Sequence, residues 1–194
     1  MFRNLNTFFT AILFCQFVFI SCKAKSKATD KVTVARMDGT DTILVQFMHH
    51  FNDTLPLPEN YVNDYEDVFT DNQEDSLNSI IASFDKQTSN QIAVVSIDTT
   101  MTTKENFEAL TLKLAKAWGV GQKDKNNGIL IGISKGYRKI RIQNGLGIEK
   151  ILSDSATKEI IDTGFIPSFK KADYFQGTLN GVNNLIQKLN TIQQ

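Results

Sequence analysis

Cysteine is nearly absent from this chain. Of 194 residues only Cys15 and Cys22 carry a thiol. Everything downstream is therefore closed to disulfide staples, thiolate zinc sites and cysteine-nucleophile catalysis. Histidine is equally scarce: His49 and His50 are the two present, and as chain neighbours they cannot both face one metal from a regular element. An excess of either charge is lacking as well. Lys and Arg number 21 against 21 Asp and Glu, and loss of Arg3 with an N-terminal leader leaves a net charge of −1, so nothing points to nucleic acid as a partner. Finally, the longest apolar run is short for a permanent span, an uncleaved N-terminal anchor being the alternative to a cleaved leader. The stretch Phe8–Ile20 is 13 residues long, against the roughly 20 that a bilayer core requires.

What is present begins with that stretch. Arg3, the apolar run and small Ser21 before Cys22 follow the order of a secretory signal. Phe19-Ile20-Ser21-Cys22 resembles the lipobox of a bacterial lipoprotein, which implies cleavage after residue 21 and acylation of Cys22. The domain would then be fastened by lipid to a membrane of the cell envelope, on the exported side. Residues 23–31, KAKSKATDK, are small, polar and basic, as in a solvated tether; their lysines suit anionic head groups. Residues 32–60 offer a possible strand at Ile43–Phe47 and a loop with Pro56 and Pro58, and read as further tether or as an extension packed on the domain. The expected organisation is signal peptide 1–21, lipidated Cys22 with tether or extension 22–60, and one domain 61–192.

Within that domain the hydrophobic periodicity is strong. Thr70-Asp71-Asn72-Gln73 has the form of a capping box, and Leu77, Ile80, Ile81 and Phe84 follow at helical spacing. Gln91–Ile97 reads as a buried strand, nearly unbroken and rich in β-branched residues. Thr102–Glu105 offers a second capping box, with Phe107, Leu110, Leu114 and Trp118 marking a helix that Gly119 and Gly121 end. Gly128–Ser134 is apolar throughout, as in a central strand, and Arg138–Gln143 alternates with period two, as in a hairpin partner with one solvated face. Asn144–Gly147 reads as a flexible loop, and helices are expected near 154–164 and 174–189. The order α-β-α-β-β-α-α predicts an α/β fold, a small mixed sheet sandwiched by helices on both faces.

Several short motifs invite chemistry and lose it on inspection. Gly132-Ile133-Ser134-Lys135-Gly136 matches the G-x-S-x-G elbow, but it leads into a strand instead of a helix, and the histidines precede it. Ser134 is better read as a strand-end residue. Asp38-Gly39-Thr40 resembles the end of a phosphatase nucleophile loop, yet Arg36 stands where the attacking Asp belongs. Asp124–Gly128 is no EF-hand, because its glycine comes one residue early and Lys135 occupies the twelfth position. The acidic residues Asp64, Glu66, Asp67, Asp71, Glu74 and Asp75 mostly read as solvated charges favouring a helix N-terminus. Asp64 differs: it follows Tyr61-Val62 and precedes the helix by several residues, where a carboxylate can be aimed at neighbouring loops.

Taken in order, Tyr61–Tyr65, Gln91–Val95, Ala117–Gly121, Asn127–Ile131, Arg138–Ile142, Gly145–Glu149, Ile166–Phe169 and Asp173-Tyr174 resemble the successive blocks of the TPM domain over about residues 61–190. That resemblance implies a helix-covered three-layer αβα fold, common in exported or membrane-tethered proteins. Plant members in thylakoids are linked to acid phosphatase activity and photosystem repair, and some members bind calcium through acidic loop residues. The matching positions here are Asp64 and the loop before Gly128, with Asp124, Asn126 and Asn127 as ligands of a Ca²⁺ or Mg²⁺ ion. Many relatives carry Asp-Asn-Gly in this loop where this chain has Asn126-Asn127-Gly128, which removes a negative charge and lowers cation affinity. Arg138 and Arg141 have the chemistry of a bidentate phosphate clamp. Gly145 and Gly147 are expected to supply positive-φ turns beside the site, with Glu149 next to them.

Two functions follow, beside a third reading as a purely structural lipoprotein. One is a membrane-tethered module that binds or maintains envelope protein complexes. The other is a divalent-metal-linked phosphatase, a hydrolase in which the ion polarises a phosphoryl oxygen and activates water.

Overall fold

The structure, a computed structural model, describes residues 55–192. Expectations for the leader, Cys22, Ile43–Phe47 and the two histidines lie outside them. Four strands form one sheet in the order β1 (Val62–Asp64), β2 (Gln91–Ser96), β3 (Gly128–Ser134), β4 (Lys139–Asn144). The first three are parallel, and β4 returns antiparallel to β3. The helices are α1 (Asp71–Thr88), α2 (Phe107–Ala117), α3 (Leu146–Glu149), α4 (Asp154–Ile160), α5 (Ile166–Phe169) and α6 (Tyr174–Ile192), with a π-helical turn, Ile161–Phe165, joining α4 to α5. None of the described helices is long and apolar enough to cross a membrane.

Side-chain alternation divides the strands between two cores. Val62, Ile92, Val94, Ile129, Ile131, Ile133 and Ile142 point to one face, where they meet Leu77, Ile81 and Phe84 of α1 and Val182, Leu185 and Leu189 of α6. Val95 and Leu130 point to the other, against Phe107 and Leu114 of α2 with Ile97 and Met101. The expected αβα sandwich is thus the observed one. β3 is buried along its whole length because both faces are covered, which is why its sequence shows no polar alternation.

The connections depart from the usual rule. Strand order advances steadily from β1 to β3, yet α1 and α2 lie on opposite faces. The two βαβ crossovers therefore have opposite hands, and one breaks the right-handed preference. Since strand order never reverses, the sheet has no switch-point crevice of the kind that binds ligands in doubly wound folds.

Local chemistry explains most boundaries. The Thr70 hydroxyl accepts from the Gln73 N–H at 3.4 Å while Gln73 Oε1 accepts from the Thr70 N–H at 2.9 Å, the expected capping box. The second one does not form: α2 starts at Phe107 behind Asn106, which makes no side-chain cap, and Thr103 instead accepts from the Asn106 N–H in a preceding turn. Pro167 has no N–H and its ring crowds the carbonyl one turn back. Its place at the start of α5 accounts for the widening to a π turn just before it. Residues 144–149 are not a flexible loop, for Asn144 closes β4 and α3 follows directly. β1 went unpredicted because three residues carry no readable periodicity. It is an edge strand, and its Val62 N–H is met by Asn78 Oδ1 from α1 at 2.9 Å. Leu55 and Pro56 already belong to the domain: Leu55 packs on the α2-side core, and the Trp118 indole N–H donates to the Pro56 carbonyl at 2.7 Å.

Candidate functional site

The sheet places the expected site residues at two opposite ends. Asp64 ends β1 and pairs with Ser96, which pairs with Ile133 near the end of β3; Asn127 immediately precedes Gly128, the first residue of β3. Five residues of strand, about 16 Å at the usual rise, separate those levels. Asp64 and the 124–127 loop therefore cannot share one ion, and the single site expected from the sequence divides into two regions.

At the carboxyl end of the parallel strands, carboxylates act as acceptors for loop backbone. Asp64 Oδ1 accepts from the Val68 N–H at 3.1 Å and Oδ2 from the Phe69 N–H at 2.8 Å, and the Ser96 hydroxyl also donates to Oδ1. The same Ser96 oxygen accepts from the Glu66 N–H at 2.9 Å. Glu66 reaches across to the β3–β4 turn, where Oε2 accepts from the Lys135 N–H at 2.6 Å and Oε1 from the Gly136 N–H at 2.7 Å. Tyr137 ties that turn to the β2–α2 loop, donating to the carbonyls of Thr99 and Thr102 at 3.0 and 2.6 Å. Desolvation, then the negative charges of Glu105, Asp98 and Glu66, raise its phenol pKa above the ordinary value.

This donor set does not fit a divalent cation as it stands. Such an ion needs six or more oxygen ligands, whereas Asp64 and Glu66 are ringed by N–H and O–H donors. Among the described residues no group of three Asp, Glu, His or Cys side chains converges on one point.

The amino end is built from neutral amides and glycines. Asn127 is buried, its Oδ1 accepting from the Gln122 N–H at 2.7 Å and its Nδ2 donating to the Ser89 carbonyl at 2.6 Å. Its amide braces three segments and has no oxygen turned to a ligand. Asn126 adopts φ 49° and its carbonyl accepts from the Gly147 N–H at 2.9 Å, while Asp124 is exposed. Gly145 and Gly147 are needed for closeness, not for positive φ: Gly145 has φ −71°. A Cβ on Gly145 would stand 2.3 Å from the Asn126 carbonyl oxygen, and one on Gly147 would stand 2.1 Å from that of Lys125. Glu149 is exposed at the end of α3.

The two arginines do not converge either. Arg141 lies on the α2 side of β4, where its guanidinium is 3.8 Å from Glu108. Arg138, with φ 52°, lines a cavity on the other side, between the β3–β4 turn and α5. Sequence reasoning missed Glu66, Ser96, Phe169, Lys170 and Tyr174. Only Glu66 left a signal, an acid two residues beyond Asp64 and still short of the helix it was assigned to.

These observations define a compact three-layer α/β domain of mixed sheet, with carboxylate-laced loops at one end and a glycine-and-amide closure at the other. The TPM domain profile matches residues 62–188, and the chain belongs to the TPM domain family. Solved structures agree. The N-terminal domain of a P. gingivalis protein is 29% identical at a TM-score of 0.62, covering 70% of this chain and 85% of that one. The BA42 protein of Bizionia argentinensis is 20% identical at 0.57, covering 66% and 86%. The N-terminal domain of the cg2496 protein from Corynebacterium glutamicum is 14% identical at 0.51, covering 70% and 83%. The last two speak for the fold alone. No curated protein matches the chain.

Proposed function

We propose that this chain is a lipid-anchored TPM-domain protein that binds or maintains protein complexes of the cell envelope. The observation that carries this reading is the commitment of Asp64 and Glu66 to loop N–H donors. The carboxylates best placed for chemistry hold the surface in shape, and a shaped, rigid surface is what a binding module needs. Arg138, by contrast, has no carboxylate partner among the described residues, as suits a group kept for an outside ligand. The anchor rests on Ser21-Cys22 after the apolar leader, and the basic segment behind it suits an anionic membrane surface.

The test is a turnover assay of the full chain on a generic phosphomonoester with and without Ca²⁺ or Mg²⁺, alongside Asp64→Asn. No turnover in either is expected; metal-dependent turnover lost in the variant would establish the phosphatase instead. Mass spectrometry of the chain from a bacterial membrane fraction is expected to find Cys22 acylated and N-terminal. An unmodified, unprocessed Cys22 would remove the anchor.

A further inference from the structure

The cavity beside the β3–β4 turn belongs to neither the Asp64 network nor the 124–127 loop. It encloses about 370 Å³, within the range of small-ligand sites. Its charged lining residues are one-signed: Arg138, Lys139 and Lys170 line it, and no Asp or Glu does. Lys139 adds only its stem, since its ammonium donates to the Lys104 carbonyl at 2.9 Å on the α2 side. Apart from Ser134, the rest of the wall is apolar or aromatic, chiefly Ile140, Ile166, Phe169 and Tyr174, all half-buried with surface to spare.

A backbone feature also marks this spot. Arg138 and Ala172 hold left-handed backbone at φ 52° and 61°, and both line the cavity. That conformation is unfavourable for residues with a Cβ, and Gly or Asn would occupy it more cheaply. Strain of this kind gathers where function demands a particular side chain.

From this geometry we infer that the cavity binds a carboxylate carried on a bulky apolar group, the chemistry of a hydrophobic amino acid with a free acid end. Arg138 takes the carboxylate by paired N–H donors, Lys170 adds charge at the rim, and the apolar body lies against Phe169 and Ile166. Glu66 is the nearest opposing charge, its Oε1 3.5 Å from the Ser134 hydroxyl of the wall, but both its oxygens accept from the Lys135 and Gly136 N–H groups, which blunts the repulsion. The acid could be a free acylated amino acid or the carboxyl terminus of a partner chain. The inference rests on the binding-module reading. Metal-dependent phosphatase turnover would remove that reading while leaving the measurement below unaffected.

The ¹⁵N-labelled full chain in detergent is titrated with N-acetylphenylalanine, its amide, and the tripeptide Ala-Ala-Phe with a free carboxylate. Saturable shifts at Arg138, Lys170 and Tyr174 are expected with the acids, with the amide weaker by about tenfold. Arg138→Gly is expected to lose about tenfold in acid affinity without any fall in melting temperature, and Lys170→Gln about threefold. Should the glycine variant fail to fold, Arg138→Gln gives the same charge change and the same readout. Tighter binding of the tripeptide identifies a chain end and the reverse identifies a free acid, either of which supports the site. Equal affinity for acid and amide, no shift with either acid, or unchanged affinity on loss of Arg138 overturns it.

Discussion

The two ends of the sheet are closed by different chemistry. At the amino end of the parallel strands, Asn127, Gln91 and Gly121 join segments through uncharged amides: Gln91 Oε1 accepts from the Gly121 N–H at 2.8 Å, and glycines let backbones touch. At the carboxyl end the fasteners are charged, Asp64 and Glu66 pulling in loop N–H groups from as far as 70 residues along the chain. The first closure is mainly steric, with one carboxylate, Asp85, accepting from Tyr61 and Gln91. The second keeps charge at the surface, and the cationic cavity opens beside it. One end of the domain is built to be shut, the other to be held in shape beside an open cavity.

The largest effect should come from crowding the shut end. A Cβ on Gly128 would stand 1.9 Å from the Val120 carbonyl oxygen, so Gly128→Ala is expected to destabilise by about 3 kcal/mol or more in denaturant unfolding. Gly119→Ala tests whether this is sterics: Gly119 has φ +60° but open space around it, and only about 1 kcal/mol of backbone strain is expected. Equal losses at the two glycines would break the contrast.

The charged end gives a test of sign. Asp64→Asn in metal-free buffer should lose about 2 kcal/mol, the usual range for hydrogen bonds to a charged acceptor. Were Asp64 held in wait for a cation, removing its charge would leave the metal-free domain unchanged or steadier. Asn127→Asp at the opposite end should lose about 1 to 2 kcal/mol, because a carboxylate cannot donate to the Ser89 carbonyl, and added Ca²⁺ should not restore it.

The smallest effect is alkaline and touches both ends. Tyr61 donates to Asp85 at 2.9 Å; that hydrogen bond, then desolvation and the Asp85 charge, raise its pKa above the ordinary 10.0, as burial does for Tyr137. A folded pKa above the unfolded one gives stabilisation that is complete below about pH 10 and is lost as pH rises through the folded value. Unfolding midpoints should therefore fall above that pH, and Tyr61→Phe and Tyr137→Phe should each flatten the fall by a few tenths of a kcal/mol. An unchanged slope in both would mean that neither hydroxyl contributes.

Much of the architecture was legible because β2, β3, β4, α1 and α6 carry apolar patterns long enough to declare their period. The division between the ends was not, although one recognition would have supplied it. Asp64 ends a strand and Asn127 precedes one; once β1 and β3 are parallel, those positions must lie at opposite ends. Three residues of β1 gave no period, so that step was hidden. The positive-φ role expected of Gly145 and Gly147 failed for a related reason: composition shows that a side chain is missing without showing whether a dihedral angle or a neighbouring backbone forbids it. The cavity walls were illegible because β4, α5 and α6 meet there only in the folded chain.

The contact between Asn78 and Val62 bears on how this domain meets other chains. An outermost strand whose N–H groups face open water is a template for strand addition and aggregation. Here the outward N–H of Val62 is already capped by a helix side chain, in a strand only three residues long. That margin is poorly suited to β-augmentation or to growth into fibres, which leaves the opposite edge, the six-residue β4, as the strand on which another chain would have to pair.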